Sequence, residues 1–138
     1  MKKLIALLLV ISALFTGCTR SVYILRQLDV NVESIEIGIT KFGMESFESK
    51  KVLNDEEMAE FFEGLSELMF KRYLFGDPSD VGGLTVKITY SDGAYELICY
   101  YTSQYKKDDR MSYGWQFCEE EEFNALIGKF YDYEADVD

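Results

Sequence analysis

The chain has 138 residues, of which 14 are basic and 25 acidic, and it contains no histidine. The net charge of −11 disfavours nucleic acids and polyanionic lipids as partners, because phosphate binding depends on clustered Lys and Arg. The lack of histidine excludes Ser-His and Cys-His nucleophile pairs and the common zinc sets. With 48% hydrophobic and 15% aromatic residues, the composition predicts a folded domain.

The N-terminus begins with Met-Lys-Lys and continues with an apolar run over residues 4–15 that only Ser12 interrupts. This run is too short to cross ~30 Å of hydrocarbon, which takes about 20 helical residues. It is typical of the hydrophobic region of a secretory signal peptide. We expect residues 1–17 to be removed.

The segment Leu14-Phe15-Thr16-Gly17-Cys18 resembles the lipobox of bacterial lipoproteins, although Phe15 replaces a more usual aliphatic residue. The resemblance implies that Cys18 becomes the first mature residue and carries diacylglycerol, with acyl chains such as palmitate. Two acyl chains hold a protein stably on a bilayer. The expected location is therefore the cell membrane, on its extracytoplasmic side. The alternative is an ordinary signal peptide followed by a chance cysteine.

Cleavage removes two lysines and no acidic residue, so the net charge of the mature chain is −13. Residues 18–31 are predicted to be the lipidated cysteine and a tether, which at ~3.3 Å per residue cannot exceed roughly 45 Å. Residues 32–138 are long enough for one domain with a single core.

The first predicted strand covers residues 32–42, where isoleucines at 35, 37 and 39 alternate with more polar positions. A helix follows, because Asn54 and Glu57 have the spacing of a capping box. Its apolar stripe consists of Met58, Phe61, Phe62, Leu65, Leu68 and Met69. Gly64 inside this helix indicates close approach of another element.

The second predicted strand covers residues 84–90, and Asp92-Gly93 is the strongest short hairpin signal in the chain. A two-residue type I′ loop at this dipeptide would join the second strand to a third strand. It would place Tyr90 opposite Tyr95 and Val86 opposite Cys99. The apolar residues of both strands would then share one face.

A fourth strand is predicted over residues 111–118, with Met111, Tyr113, Trp115 and Phe117 as its apolar set. The last helix starts in the acidic run 119–122, which suits a helix N-terminus, and buries Phe123, Leu126, Ile127 and Phe130. The predicted order is β-α-β-β-β-α. It indicates an α+β, two-layer domain with a four-stranded, mainly antiparallel sheet, both helices on one face and the other face in water.

Cys99 and Cys118 are the remaining cysteines, and pleat parity argues against a bond between them. A direct pair would turn the apolar set of the fourth strand out of the core, whereas the opposite register places the two cysteines on opposite sides of the sheet. A bulge near Cys118 would restore the disulfide as an alternative. Otherwise both are buried thiols.

No motif in the sequence predicts an enzyme, a cofactor or a metal. Gly82-Gly83 lacks the pattern of a phosphate-binding loop, and the acidic runs match no EF-hand. Acidic residues at 119–122 and in the tail at 132, 134, 136 and 138 are better explained by a helix start and a frayed end. A glycan hydrolase with two facing carboxylates stays the less favoured alternative.

Tyrosines are concentrated around the predicted hairpin, and one side of it offers aromatic and hydroxyl groups. The candidate binding face consists of Lys87, Thr89, Ile98, Tyr100 and Thr102. We expect it to bind a protein or glycan of the cell envelope, or, alternatively, an enzyme that the domain inhibits in the manner of an immunity protein. High β-propensity of Tyr and Thr is the competing explanation. The layout resembles small, functionally uncharacterised lipoproteins of Gram-positive bacteria, which implies no activity.

Overall fold

The computed structural model describes residues 20–41, 44, 46–72, 83–114 and 116–133. The predicted signal peptide, Cys18, Trp115 and the tail acids at 134, 136 and 138 lie outside these residues. The strands are β1 (Val32–Thr40), β2 (Phe47–Val52), β3 (Lys71–Arg72), β4 (Gly83–Tyr90), β5 (Tyr95–Ile98), β6 (Ser103–Lys107), β7 (Arg110–Gly114) and β8 (Gln116–Phe117); the helices are α1 (Asp55–Glu67) and α2 (Glu120–Gly128).

The protein has an α+β fold with an antiparallel sheet and two helices in the described ranges, which confirms the predicted class. The predicted four-stranded sheet is wrong: the described strands form a six-stranded sheet in the order β2-β1-β4-β5-β6-β7 and a two-stranded sheet of β3 and β8. Two of the strands that were not predicted lack a clear apolar alternation. They are β2, with the sequence Phe-Glu-Ser-Lys-Lys-Val, and β6, with the sequence Ser-Gln-Tyr-Lys-Lys. Pairing with neighbouring strands, and not burial of an apolar face, makes these segments strands.

The hairpin between β4 and β5 differs by one residue from the predicted register. The Tyr90 amide donates to the Ala94 carbonyl at 2.8 Å, and the Gly93 amide donates to the Tyr90 carbonyl at 2.9 Å. The loop is therefore three residues long, with Gly93 at φ 85°. Val86 lies opposite Ile98 in place of Cys99. Because side chains alternate along a strand, this shift moves every residue of β5 to the other face of the sheet.

The main core lies on the inner face of the sheet, which we define by Ile35, Ile37, Val86 and Ile88. Both helices contribute to it, through the buried residues Phe61, Leu65, Phe123, Leu126 and Ile127. The predicted close approach at Gly64 is confirmed, since a Cβ placed there would lie 2.3 Å from Leu126 Cδ1.

Residues 20–31, predicted as part of a tether, pack against the domain. Ser21 forms two backbone hydrogen bonds with Phe70, at 2.9 and 2.8 Å. Tyr23 belongs to the main core, and Gln27 is buried and donates to the Tyr105 hydroxyl at 2.5 Å. This segment is therefore part of the packed domain and not a free tether, because Tyr23, Leu25 and Val30 lie in or against the main core.

The outer face of the sheet was expected to be in water, but part of it is a second core. Met44, Leu97 and Cys99 are buried there, with Phe47, Tyr95 and Tyr101 packed against them. Within the described part of the chain, no helix has the length and apolar character needed to span a membrane.

Candidate binding surface

The five residues of the predicted binding face do not come together on one exposed surface. Lys87 and Thr89 lie on the outer face of β4, opposite Leu97 and Tyr95. Ile98 is 1% exposed and belongs to the main core, against which Tyr100 is also packed. The one-residue shift in the hairpin explains the separation, since it exchanges the two faces of β5.

Thr102, the fifth predicted residue, is 3% exposed and donates from its hydroxyl to the Gly114 carbonyl at 2.9 Å. It therefore ties the start of β6 to the end of β7. A side chain whose hydroxyl is buried and used in this way has little surface to offer a partner.

Two large side chains of β7 are exposed on the outer face instead. Met111 is 49% exposed and Tyr113 is 40% exposed. They lie opposite Lys106 and Gln104 of β6, respectively. We call Gln104, Met111 and Tyr113 the outer-face patch. The sequence predicted Met111 and Tyr113 as core residues, which is wrong because β7 is the edge strand of the described sheet and both side chains are exposed.

Gln104 is the buried residue of the patch and contacts both of its exposed side chains. It is 3% exposed, and its Nε2 atom donates to Met111 Sδ at 2.8 Å and approaches the Tyr113 hydroxyl at 3.4 Å. The Tyr113 hydroxyl in turn lies 3.4 Å from Met111 Sδ. A thioether is a weak acceptor, so the main effect of these contacts is to orient the two exposed side chains. The alternation of Gln104 with Lys106 opposite an apolar edge strand is the signal that could have indicated this surface.

Lys87 lies elsewhere on the same face, between two aromatic rings. Its Nζ atom is 5.8 Å from the centre of the Phe47 ring and 5.4 Å from that of Tyr95. The same atom lies 3.3 Å from Glu36 Oε1. These contacts are within the range of cation–π attraction and ion pairing. Lys87 therefore joins β1, β2 and β5 across the sheet.

Glu96 is the fully buried carboxylate of the described residues, and its surroundings point to a structural role. It is 0% exposed and accepts hydrogen bonds from the Tyr23 hydroxyl, the Tyr90 hydroxyl and the Arg26 amide. Burial, and next the charge of Glu96, raise the pKa of Tyr23, so this hydroxyl stays protonated and able to donate. A substrate in solution has no access to this carboxylate.

The other candidate chemistry also finds little support. In the described ranges no three Cys, Asp or Glu side chains are grouped so that they could hold a metal ion. Glu120, Glu121 and Glu122 form the acidic first turn of α2, as the sequence predicted. Comparison with known proteins gives no match to a protein-family model, a curated protein or a solved structure.

The cysteines outside the signal region are buried free thiols on different sides of the sheet. Cys99 belongs to the second core on the outer face, and Cys118 belongs to the main core. The prediction of two separate buried thiols is confirmed, but the parity argument behind it is wrong, because Cys99 lies on the outer face and Met111 and Tyr113 are exposed. Burial raises the pKa of Cys99 and raises that of Cys118 to about 12, which disfavours the reactive thiolate at neutral pH.

Proposed function

We propose that this protein is a lipoprotein held on the extracytoplasmic side of the cell membrane by a lipid at Cys18, with a domain that binds another protein of the cell envelope. The anchor is supported by Leu14-Phe15-Thr16-Gly17-Cys18, which follows an apolar run too short to span a bilayer. No catalytic role is included in the proposal.

The binding role rests on one observation, the exposed pair Met111 and Tyr113 held in place by Gln104. Aromatic and Met side chains are enriched at the centres of protein interfaces. Side chains that are already oriented lose less conformational entropy when a partner binds. Tyr113 borders a shallow groove, but Met111 and Gln104 are not among the residues that line it, so a protein surface suits the patch better than a small molecule.

A second candidate is that the partner is an envelope enzyme that the domain inhibits. The fixed geometry of the outer-face patch favours this reading, since rigid and pre-organised surfaces are typical of tight inhibitors. Both candidates use the same residues and differ in whether the partner loses activity when it is bound.

The anchor is tested by expressing the full chain in a bacterial host and measuring the mass of the N-terminal peptide. We expect a diacylated Cys18, and we expect Cys18→Ser or globomycin to leave an unprocessed precursor. A bare thiol at Cys18 in the processed chain would show that the anchor is absent.

The binding role is tested by crosslinking the full chain in intact cells and identifying what is attached by mass spectrometry. The double variant Met111→Ser, Tyr113→Ser should lose a specific crosslinked protein that the native chain captures. Val52→Ser is the matched control, because Val52 is 60% exposed on β2, at the other edge of the sheet. Equal capture by all three chains would rule out the outer-face patch.

A further inference from the structure

We propose that one surface of the domain rests directly on the anionic headgroups of the membrane, so that the domain has a fixed orientation and no free tether. We call it the membrane-facing surface and define it by Val22, Ile24, Met69, Arg20, Arg26 and Arg72. The inference rests on the proposed lipid at Cys18, and it adds the orientation of the domain and the class of lipid that it contacts.

The length of chain between the lipid and the fold is the first argument. Ser21 is fixed to Phe70 by two backbone hydrogen bonds, and Phe70 is 1% exposed. Tyr23 is anchored two residues later by Glu96, at 2.5 Å. Cys18 precedes Ser21 by three residues, which span at most about 10 Å even when fully extended. A lipid on Cys18 would therefore hold this end of the domain at the headgroup layer.

The exposed apolar side chains at this end are the second argument. Residues 22–28 alternate, with Tyr23 and Gln27 buried while Val22, Ile24 and Leu28 are 43%, 58% and 79% exposed. The antiparallel pairing of Ser21 with Phe70 places Met69, which is 40% exposed, beside Val22. Apolar side chains on a surface close to an acyl anchor gain by entering the boundary between headgroups and chains.

Charge is the third argument. Arg26 and Arg72 line one shallow groove of about 480 Å³ together with Ile24. Arg20, Arg26 and Arg72 have no ion-pair partner among the described residues, whereas Lys71 beside them pairs with Glu119 at 3.1 Å. Arg26 Nη2 donates to the Tyr113 carbonyl at 3.3 Å. A guanidinium group has five N–H donors, so it can bind a lipid phosphate in a bidentate manner as well.

The acidic remainder of the molecule reinforces this orientation. The mature chain has a net charge of −13, so an anionic bilayer repels the molecule as a whole. Anionic headgroups attract the arginines only within a Debye length of about 10 Å. The anchor at Cys18 keeps the arginines within about this distance of the bilayer surface. The lipid supplies the proximity, and the local charge determines which side faces the bilayer.

The test uses the full chain, lipidated in a bacterial host and reconstituted into vesicles of phosphatidylcholine and phosphatidylglycerol that contain a lipid-bound fluorescence quencher. A fluorophore is attached at Ile24→Cys or, as the matched control, at Ser49→Cys. Ser49 lies on β2, at the opposite edge of the six-stranded sheet from β7, which corresponds to about 24 Å at ~4.8 Å per strand. Cys99 and Cys118 are buried and should not take the label.

We expect the label at position 24 to be quenched at least twofold more than the label at position 49. The double variant Arg26→Glu, Arg72→Glu should reduce this difference to what the lipid at Cys18 alone produces, while Arg110→Glu at the far end of β7 should preserve it in full. Where the glutamate pair lowers the Tm, the neutral pair Arg26→Gln, Arg72→Gln should still reduce the difference. The same loss is expected in pure phosphatidylcholine.

The outcomes separate the inference from the proposed anchor. Equal quenching at the two positions in a chain whose Cys18 carries lipid overturns the membrane-facing surface and leaves the anchor intact. A difference that is as large in the charge-reversed chain as in the native chain overturns the role of the arginines. An unmodified Cys18 overturns the anchor and, with it, the surface that depends on it.

Discussion

The Tyr23 hydroxyl donates a hydrogen bond to Glu96 Oε2 at 2.5 Å, although the two residues are 73 positions apart in the chain. Tyr90 and the Arg26 amide donate to the other oxygen of the same carboxylate. A buried charge is costly unless hydrogen bonds replace its hydration. Glu96 therefore makes residues 20–31 part of the domain, because the sheet alone leaves this carboxylate incompletely satisfied.

Tyr23→Phe should lower the free energy of unfolding by about 1.5–3 kcal/mol, the usual cost of removing a hydrogen bond to a charged group. The ring and its packing against Phe70 are retained in this variant, so the loss reports the hydroxyl. Urea unfolding followed by circular dichroism measures the change. Tyr133→Phe is the control, since Tyr133 is 39% exposed and should lose less than about 0.5 kcal/mol. Equal stability of the two variants would contradict the role of Glu96.

Stability should fall as the pH rises above 10. Burial, and next the interactions with Glu96, raise the pKa of both Tyr23 and Tyr90 above the ordinary value near 10. The unfolded chain then loses these protons at a lower pH than the native state does, so the native state binds more protons and alkali favours unfolding. Each tyrosine contributes up to about 1.4 kcal/mol per pH unit above pH 10.

Urea midpoints measured from pH 8 to pH 11 should reveal this slope. The Tyr90→Phe variant should show a smaller slope than the native chain, whereas the control Tyr133→Phe should show the same slope. A native chain whose stability is constant up to pH 11 would show that the two hydroxyls titrate alike in both states.

Local signals in the sequence predicted the elements that local interactions stabilise. The capping box at α1 is present in full, since the Asn54 side chain accepts from the Glu57 amide at 3.0 Å and Glu57 accepts from the Asn54 amide at 3.0 Å. The alternation of β1 and the apolar stripe of α2 likewise mark buried faces. In these elements, propensity and periodicity agree with the tertiary structure.

The hairpin register depended on information that is not local. Asp-Gly is compatible with two-residue and three-residue loops, and only the two-residue loop was predicted, because it placed the apolar residues of both strands on one face. The pattern favoured Leu97 over Glu96 on the inner face, since a buried carboxylate is normally unfavourable. Tyr23 and Arg26, from a segment predicted as a tether, satisfy Glu96 and reverse that preference. Ile98, the candidate binding residue on β5, was misplaced for the same reason.

Gly64→Ala should destabilise the protein by about 1–3 kcal/mol, even though alanine is the better helix former by about 1 kcal/mol. The new Cβ would lie 2.3 Å from Leu126 Cδ1, and Leu126 is 4% exposed and belongs to the main core. Gly128→Ala is the matched control in α2, because nothing lies within 4 Å of its added Cβ. Thermal unfolding should give a lower Tm for Gly64→Ala and no decrease for Gly128→Ala. Equal Tm values would mean that the two helices are farther apart than described.

Cys99 and Cys118 should resist alkylation in the native state and react fully after unfolding. Both are nearly inaccessible, at 2% and 3% exposure, and burial raises the pKa of each thiol, so that the thiolate is scarce at pH 8. Iodoacetamide treatment of the Cys18→Ser chain at pH 8, with and without urea, followed by peptide mass spectrometry, measures both sites. The exposed cysteine of Ser49→Cys should react in either condition. A peptide pair linked by a disulfide, or modification of Cys118 without urea, would contradict two separate buried thiols.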